Sequence, residues 1–360
     1  MRKTAISAFP IAPLIASLLA VSTAYAQTQN PSNASGKDTA EDVVRVDTTL
    51  VTLPVRVMDR HGRFIPDLKQ EQFRIYEDGI EQEIAYFEPP REANDARPAS
   101  AEKPFTVALL LDISDSTEFK LEQIQGTAIA FVNLLSRGDR VIVVAFDKRV
   151  QVLAEATDDR NVLREAIRRT RTGGGTSLYG ALDTVINQRL SLIAGRKAIV
   201  LLTDGVDTAS KDSTSDSTIR AADESDASIY PVQYYTYADF ADNPSRETHG
   251  VGDFGAVAHV TKNGELASEA YKRATLYLRL LAAKTGGHFQ YADSPKNLTR
   301  SFERIAAQLR QQYTLGYYPK NRMIDGTQRK IKVEVGIAKV KVHTRKSYFS
   351  KPPTSTTEKQ

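Results

Sequence analysis

The stretch Leu109–Thr117 reads LLLDISDST. An apolar run ends in an aspartate, and hydroxyl side chains follow at alternate positions, so that Asp112, Ser114 and Ser116 form a row of oxygen groups. The run begins at Phe105 as FTVALLLD, a short continuous apolar stretch of the kind that makes a strand buried on both faces. RVIVVAF (140–146) and KAIVLLTDG (197–205) share that character. Downstream of the first run Ile124, Ala128, Phe131 and Leu135 recur at helical spacing, predicting an amphipathic helix in FKLEQIQGTAIAFVNLL, stopped by Gly138-Asp139. NVLREAIRRT, LYGALDTVINQRL, TIRAADESDA, ASEAYKRATLYLRLLAAKTGG and NLTRSFERIAAQLRQQ read as further helices. SIYPVQYY and HFQYA read as strands, and VQVLAEA as an edge strand. Strands alternating with helices over ~200 residues predict an α/β fold, with a doubly wound, mostly parallel sheet flanked by helices. Residues 239–265 break the rhythm and read as an inserted surface loop.

The flanks read differently. LVTLPVRVMD (50–59) and FRIYEDGIEQEIAYF (73–87) alternate, and Asp78-Gly79 signals a hairpin. YTLGYYP (313–319) and RKIKVEVGIAKVKVHTRKSYF (329–349) alternate again. Each flank is too short to bury a face alone. The economical reading joins them into one small antiparallel β-sandwich with the α/β domain inserted between its halves. The expected divisions are a signal peptide at 1–26, a flexible leader at 27–42, sandwich halves at 43–92 and 313–349, a linker at 93–103, the α/β domain at 104–312 and a flexible tail at 350–360.

The first 26 residues carry Arg2 and Lys3, an apolar stretch from Ile11 to Val21, and Ala24-Tyr25-Ala26, the layout of a secretory signal peptide. A secreted, periplasmic or envelope location is therefore expected. No other segment approaches the ~18 apolar residues of a membrane span, so none is expected after cleavage. Loss of Arg2 and Lys3 lowers the formal charge from +4 to +2, a balance that predicts no nucleic-acid partner. The absence of cysteine excludes disulfides, thiolate metal sites and cysteine nucleophiles.

Ligands of open α/β sheets bind outside the carboxyl ends of the strands. The polar residues at those ends are Asp112, Ser114 and Ser116 after the first strand and Asp204 after KAIVLLT, with Thr176 in the GGGTS loop. Two carboxylates and three hydroxyls are hard oxygen donors, suited to Mg²⁺ or Mn²⁺ with several waters retained. Taken singly, the serines and Thr176 could equally be helix N-caps, and Asp204 a turn residue beside Gly205.

The joint pattern is more specific. D-x-S-x-S at Asp112, Ser114 and Ser116, then Thr176 in GGTSLYGAL and Asp204 in LLTDGVD, resembles a von Willebrand factor type A domain with a complete metal-ion-dependent adhesion site. GDRVIVVAF is similar to that family's second core strand, and the resemblance covers roughly residues 104 to 312. EDGIEQEIAYF and QYTLGYYP, on either side, resemble the secreted bacterial subfamily of VWFA-related acidobacterial domains. The resemblance implies that Ser114 and Ser116 ligate the metal directly and that Thr176 does so in the ligand-bound state. It implies that Asp112 and Asp204 act mainly through bound waters, or one of them directly when the ligand is absent, and that a protein partner supplies an acidic side chain to the remaining position.

Catalytic alternatives lack their residues. Haloacid-dehalogenase-like hydrolases need an acid where Ser114 stands, and the Gly173–Gly175 loop lacks the Gly-Lys-Ser/Thr ending of a phosphate loop. His61, His249, His259, His288 and His343 are scattered without zinc-protease spacing. Arg164, Arg168, Arg169 and Arg171, and Lys330, Lys332, Lys339, Lys341, Arg345 and Lys346, read as solvated faces, with docking to an anionic envelope surface as the sharper alternative. The expectation is an exported, non-enzymatic module for divalent-cation-dependent protein binding or adhesion. The competing reading is an envelope assembly protein whose metal only stabilises the fold.

Overall fold

The structure is a computed structural model describing residues 50–90, 105–114, 121–234 and 266–350. The signal peptide, the leader, the linker, the 239–265 loop, the start of the first helix near Glu118 and the tail beyond Ser350 all lie outside those residues.

The chain enters through β1 (Val51–Met58), β2 (Phe73–Glu77), β3 (Ile80–Gln82) and β4 (Ile84–Glu88). The α/β part then runs β5 (Thr106–Asp112), α1 (Leu121–Leu134), β6 (Arg140–Phe146), β7 (Val150–Thr157), α2 (Arg160–Arg168), α3 (Leu178–Gln188), β8 (Lys197–Thr203), α4 (Ser215–Glu224), β9 (Ser228–Tyr234), α5 (Ala267–Thr285), β10 (Gln290–Ala292) and α6 (Pro295–Arg310). The chain closes with β11 (Tyr313–Tyr317), β12 (Gln328–Val335), β13 (Lys341–His343) and β14 (Ser347–Phe349).

The central sheet has the order β10-β9-β8-β5-β6-β7, parallel except for the antiparallel edge strand β7. Its two faces divide the apolar run of β5 by parity. Val107, Leu109 and Leu111 pack with Ile124, Phe131, Leu163, Phe302 and Ile305 from α1, α2 and α6. Ala108 and Leu110 pack with Leu178, Leu182, Ala222, Leu278 and Leu281 from α3, α4 and α5. Each large side chain buried fully in these layers contributes roughly 1.5–3 kcal/mol relative to exposure.

Helix ends follow local chemistry. Asp159 caps α2 by accepting from the backbone N–H groups of Asn161 and Val162, and Thr214 caps α4 through Ser217. Ser294 caps α6, where Pro295 occupies the first turn. Gly286 ends α5 in the left-handed conformation, at φ 76°.

The flanking strands form two four-stranded antiparallel sheets, β13-β1-β11-β4 and β14-β12-β2-β3, around one shared core. Each sheet mixes strands from before and after the α/β part, so the fold is an α/β sheet inserted in a small antiparallel β-sandwich. Leu53, Val55 and Val57 of β1 meet Phe73, Ile75, Tyr313, Leu315 and Tyr317 in that core. The expected alternation fails in β11, where every residue is buried. A Cβ on Gly316 would lie 3.0 Å from Tyr86 Cβ and 3.3 Å from Leu50, so these side chains cover the strand's second face.

Polar contacts lock the sandwich to the α/β part. Arg345 donates to the carbonyls of Asp223 and Ser225, and Gln328 of β12 donates to Asp223 Oδ2 at 3.0 Å, an oxygen that Lys284 of α5 also engages at 2.8 Å within the α/β part. Arg196 faces Glu88 at 3.6 Å, with both side chains largely buried.

Candidate metal centre

From β5 the chain moves to β6 on one side and later to β8 on the other. The carboxyl end of β5 is therefore the switch point of the sheet, where such folds place their ligands. Asp112 is the last residue of β5, and Asp204 comes directly after the last residue of β8. Leu111 is in register with Leu202, which sets Asp112 beside Thr203.

Asp112 is wholly buried, and hydroxyls satisfy both its oxygens. Thr203 Oγ1 donates to Oδ2 at 2.6 Å, and Ser114 Oγ donates to Oδ1 at 2.6 Å, joined by the Ser114 backbone N–H at 3.0 Å. Asp204 is 3% exposed. Its Oδ1 accepts from Val206 N at 3.0 Å, and its Oδ2 from the Tyr271 hydroxyl at 3.3 Å. The Asp204 carbonyl accepts from Gln233 Nε2, and Thr275 on α5 holds Gln233 Oε1.

The GGGTS loop is stitched to both of these segments. Ser114 and Gly173 form a parallel bridge, with Gly173 N donating to Ile113 O at 2.8 Å. Thr176 N donates to Thr208 Oγ1, and Thr176 O accepts from Thr208 N and Ala209 N, each at 2.9 Å. The residue at the N-cap position of α3 is Ser177, not Thr176, and its side chain makes no cap bond. The structure thus brings Asp112, Ser114 and Asp204 together and carries Thr176 on a loop bonded to the segment after Asp204. Ser116 lies outside the described residues.

Three participants escape a reading of the sequence. Asp147, directly after β6, is 3% exposed. Its carbonyl accepts from Ser177 N at 2.7 Å and its carboxylate from Arg149 N at 2.6 Å, so it anchors the loop bearing Thr176. A Cβ on Gly173 would lie 2.1 Å from Asp147 Oδ2, so glycine is required there. The signal available was a third carboxylate immediately after a buried strand. Tyr271 on α5 and Tyr234 at the end of β9 carry no such mark. Among the described residues the buried Tyr234 hydroxyl has no hydrogen-bond partner.

Burial, and then the charge of Asp204, push the Asp112 carboxyl up to about 7. Burial raises the Tyr234 phenol, and the charges of Asp112 and Asp204 raise it further. Among the described residues no lysine or arginine is among the groups acting on the Asp112 or Tyr234 side chain. Among the described residues no three of His, Cys, Asp and Glu converge, so the donor set is two carboxylates with hydroxyls. Two buried carboxylates side by side, an all-oxygen donor set and an orphaned buried hydroxyl fit a hard divalent cation.

Residues 107–206 match the von Willebrand factor type A domain family. An uncharacterized protein of Synechocystis sp. is 33% identical over 106 residues, covering 28% of this chain and 25% of that protein. This chain therefore spans about a quarter of the length of the curated relative it matches. Among solved structures, the vWF domain of the type V pilus tip protein Mfa5 from Porphyromonas gingivalis is 17% identical at TM-score 0.43, covering 57% of this chain and 95% of that one. A von Willebrand factor type A protein from Catenulispora acidiphila is 11% identical at TM-score 0.42, covering 84% and 74%. Proximal thread matrix protein 1 of the mussel byssus, with a zinc-occupied MIDAS motif, is 15% identical at TM-score 0.42, covering 59% and 46%. The likeness to the von Willebrand factor type A domain is thus carried by residues 107–206, the central segment of this chain.

Proposed function

We propose that this protein is an exported, non-enzymatic binding module that engages an acidic side chain of a protein partner through a divalent cation, Mg²⁺ or Mn²⁺. The observation that carries the proposal is the buried pair Asp112 and Asp204 at the switch point of the sheet, where the charge of Asp204 adds to burial in pushing the Asp112 carboxyl up. Ser114, Ser116 and Thr176 would hold the ion through hydroxyls, and Asp112 and Asp204 directly or through water. When bound, the ion supplies an electropositive coordination position that a carboxylate neutralises. Asp147 and Gly173 keep the Thr176 loop close, and Tyr271, Gln233 and Thr275 fix Asp204 against α5.

Export is proposed from the N-terminal sequence. Among the described residues no helix is long and apolar enough to cross a membrane. The near-balanced charge supports a protein partner over nucleic acid.

Calorimetric titration of the full chain with Mg²⁺, followed by pull-down from a native envelope fraction with Mg²⁺ or chelator, tests the reading. Saturable binding lost in Asp204→Ala, with capture lost in chelator, is expected. The burial of both carboxylates favours one competitor, an ion that only stabilises the fold. Chelation that lowers the melting temperature but leaves capture unchanged would establish that competitor instead.

A further inference from the structure

Away from the candidate metal centre, positive charge gathers where the sandwich meets the α/β part. Arg56 and His343 are register partners across β1 and β13, which places their side chains on one face. His288 reaches the same place from the loop after α5, where two glycines allow close backbone packing. A Cβ on Gly286 would lie 2.8 Å from Arg345 N, and one on Gly287 would lie 1.9 Å from Ile229 O. The charges of Arg56 and Arg304 act on His288, and those of Arg56, His288 and Lys341 act on His343. Arg304 belongs to α6 and Lys341 to β13.

The five side chains share one property: among the described residues none has a hydrogen-bond or ion-pair partner. Arg56 Nε is sealed from solvent and unbonded, an expensive state for a guanidinium. The other group acting on Arg56 is the Tyr230 phenol, which accepts from Gln312. Among the described residues no carboxylate acts on Arg56, His288 or His343. His288, His343, Arg304 and Lys341 stay exposed, so the cluster opens to solvent. A planar guanidinium fork beside two imidazoles and two flexible cations matches a tetrahedral dianion that takes several donors at once.

We propose that Arg56, His288, Arg304, Lys341 and His343 form a binding site for a phosphate group at the junction of the sandwich and the α/β part. The site is independent of the metal centre. Partial desolvation, ahead of the neighbouring cations, holds both imidazoles below the ordinary histidine range. A phosphate would reverse that balance, so protonation and binding should reinforce each other.

Full-length protein titrated with inorganic phosphate, with the histidine ring resonances as readout, tests the site. Saturable shifts of His288 and His343 are expected, and both imidazoles should hold their protons to higher pH with phosphate bound than without it. Arg56→Gln should weaken binding about tenfold or more, as loss of a charge-assisted bond does. Because Arg56 is half-buried, the exposed His343→Gln serves as a second variant and should also weaken it. Lys330→Gln, on the exposed face of β12, should not. Vesicles of phosphatidylglycerol against phosphatidylcholine separate the sources. Phosphate binding alone marks a free ligand, and anionic-vesicle capture lost in His343→Gln marks a lipid headgroup. Absence of saturation with both probes, or equal loss in Lys330→Gln, overturns the proposal.

Discussion

Thr203 Oγ1 donates to Asp112 Oδ2 at 2.6 Å, so the final residues of two neighbouring parallel strands are bonded at the switch point of the sheet. The same hydroxyl accepts from Gly205 N at 2.9 Å and thereby sets the turn that carries Asp204. One threonine thus joins the two carboxylates of the candidate metal centre. Thr203→Val keeps the shape and removes both bonds. It is expected to destabilise the ion-free protein by about 1–3 kcal/mol, the penalty for leaving buried polar groups unsatisfied. Mg²⁺ affinity should fall as the Asp204 turn loosens. Urea unfolding in chelator and calorimetry of the same variant check the two effects separately.

Gly173 and Asp147 make a second test. Gly173→Ala drives a methyl group into the Asp147 carboxylate, and that side chain is held by Arg149 N. The loop must move, and Thr176 moves with it. A stability loss of about 1–3 kcal/mol, typical of overpacking, is expected together with weaker ion binding. Gly175→Ala provides the contrast. Its nearest neighbour to a new Cβ is 3.4 Å away, but its φ of 76° is left-handed. Backbone strain of about 1–2 kcal/mol is expected there without displacement of Asp147. Thermal melts and Mg²⁺ titrations of both variants distinguish a steric push from strain.

Much of this architecture is legible in the sequence because it arises from periodicity. The apolar runs of β5, β6 and β8 are buried on both faces, and the alternation of β12 is seen directly as exposed and buried residues in turn. Asp112 and Asp204 stand out in the sequence because each sits where a buried apolar strand ends. Asp147 obeys the same rule, yet it lies in no motif, and its role depends on a close approach that only Gly173 permits. Tyr271 touches Asp204 across 67 residues of chain, a contact set by how α5 crosses the sheet end. No local pattern encodes that crossing. That the two flanks pair is legible from their shortness, but the division of strands between the two sheets depends on registers such as Val55 with Tyr313.

The alkaline limit of stability is tied to Tyr313. Its hydroxyl donates to Ile65 O at 2.7 Å and accepts from Leu68 N at 3.0 Å in the sandwich core. Burial pushes its phenol up from 10.0 to about 12. Between those values the folded chain retains a proton that the unfolded chain has lost, so stability falls as pH rises. The contribution is complete below about pH 10 and lost as pH passes about 12. Tyr313→Phe should lower stability near neutral pH by about 1 kcal/mol through its lost hydrogen bonds. Its stability should then decline less steeply between about pH 10 and 12 than that of the wild type. Urea unfolding across that range checks the difference in slope.

Tyr234 separates a dry site from a hydrated ion. Its hydroxyl is buried beside Asp112 and Asp204 and, among the described residues, has no hydrogen-bond partner. If the centre never holds an ion, removing that hydroxyl relieves an unsatisfied polar group, and Tyr234→Phe should gain about 1 kcal/mol under all conditions. An ion with its retained waters would offer the hydroxyl a partner. Tyr234→Phe should then be at least as stable as the wild type in chelator and bind Mg²⁺ several-fold more weakly, as loss of about 1 kcal/mol of hydrogen bonding requires. Paired melts in chelator and in Mg²⁺ read both quantities from one variant. The proposed function expects the crossover, in which the variant leads without the ion and trails with it. A uniform gain in both conditions would remove Tyr234 from the ion's surroundings.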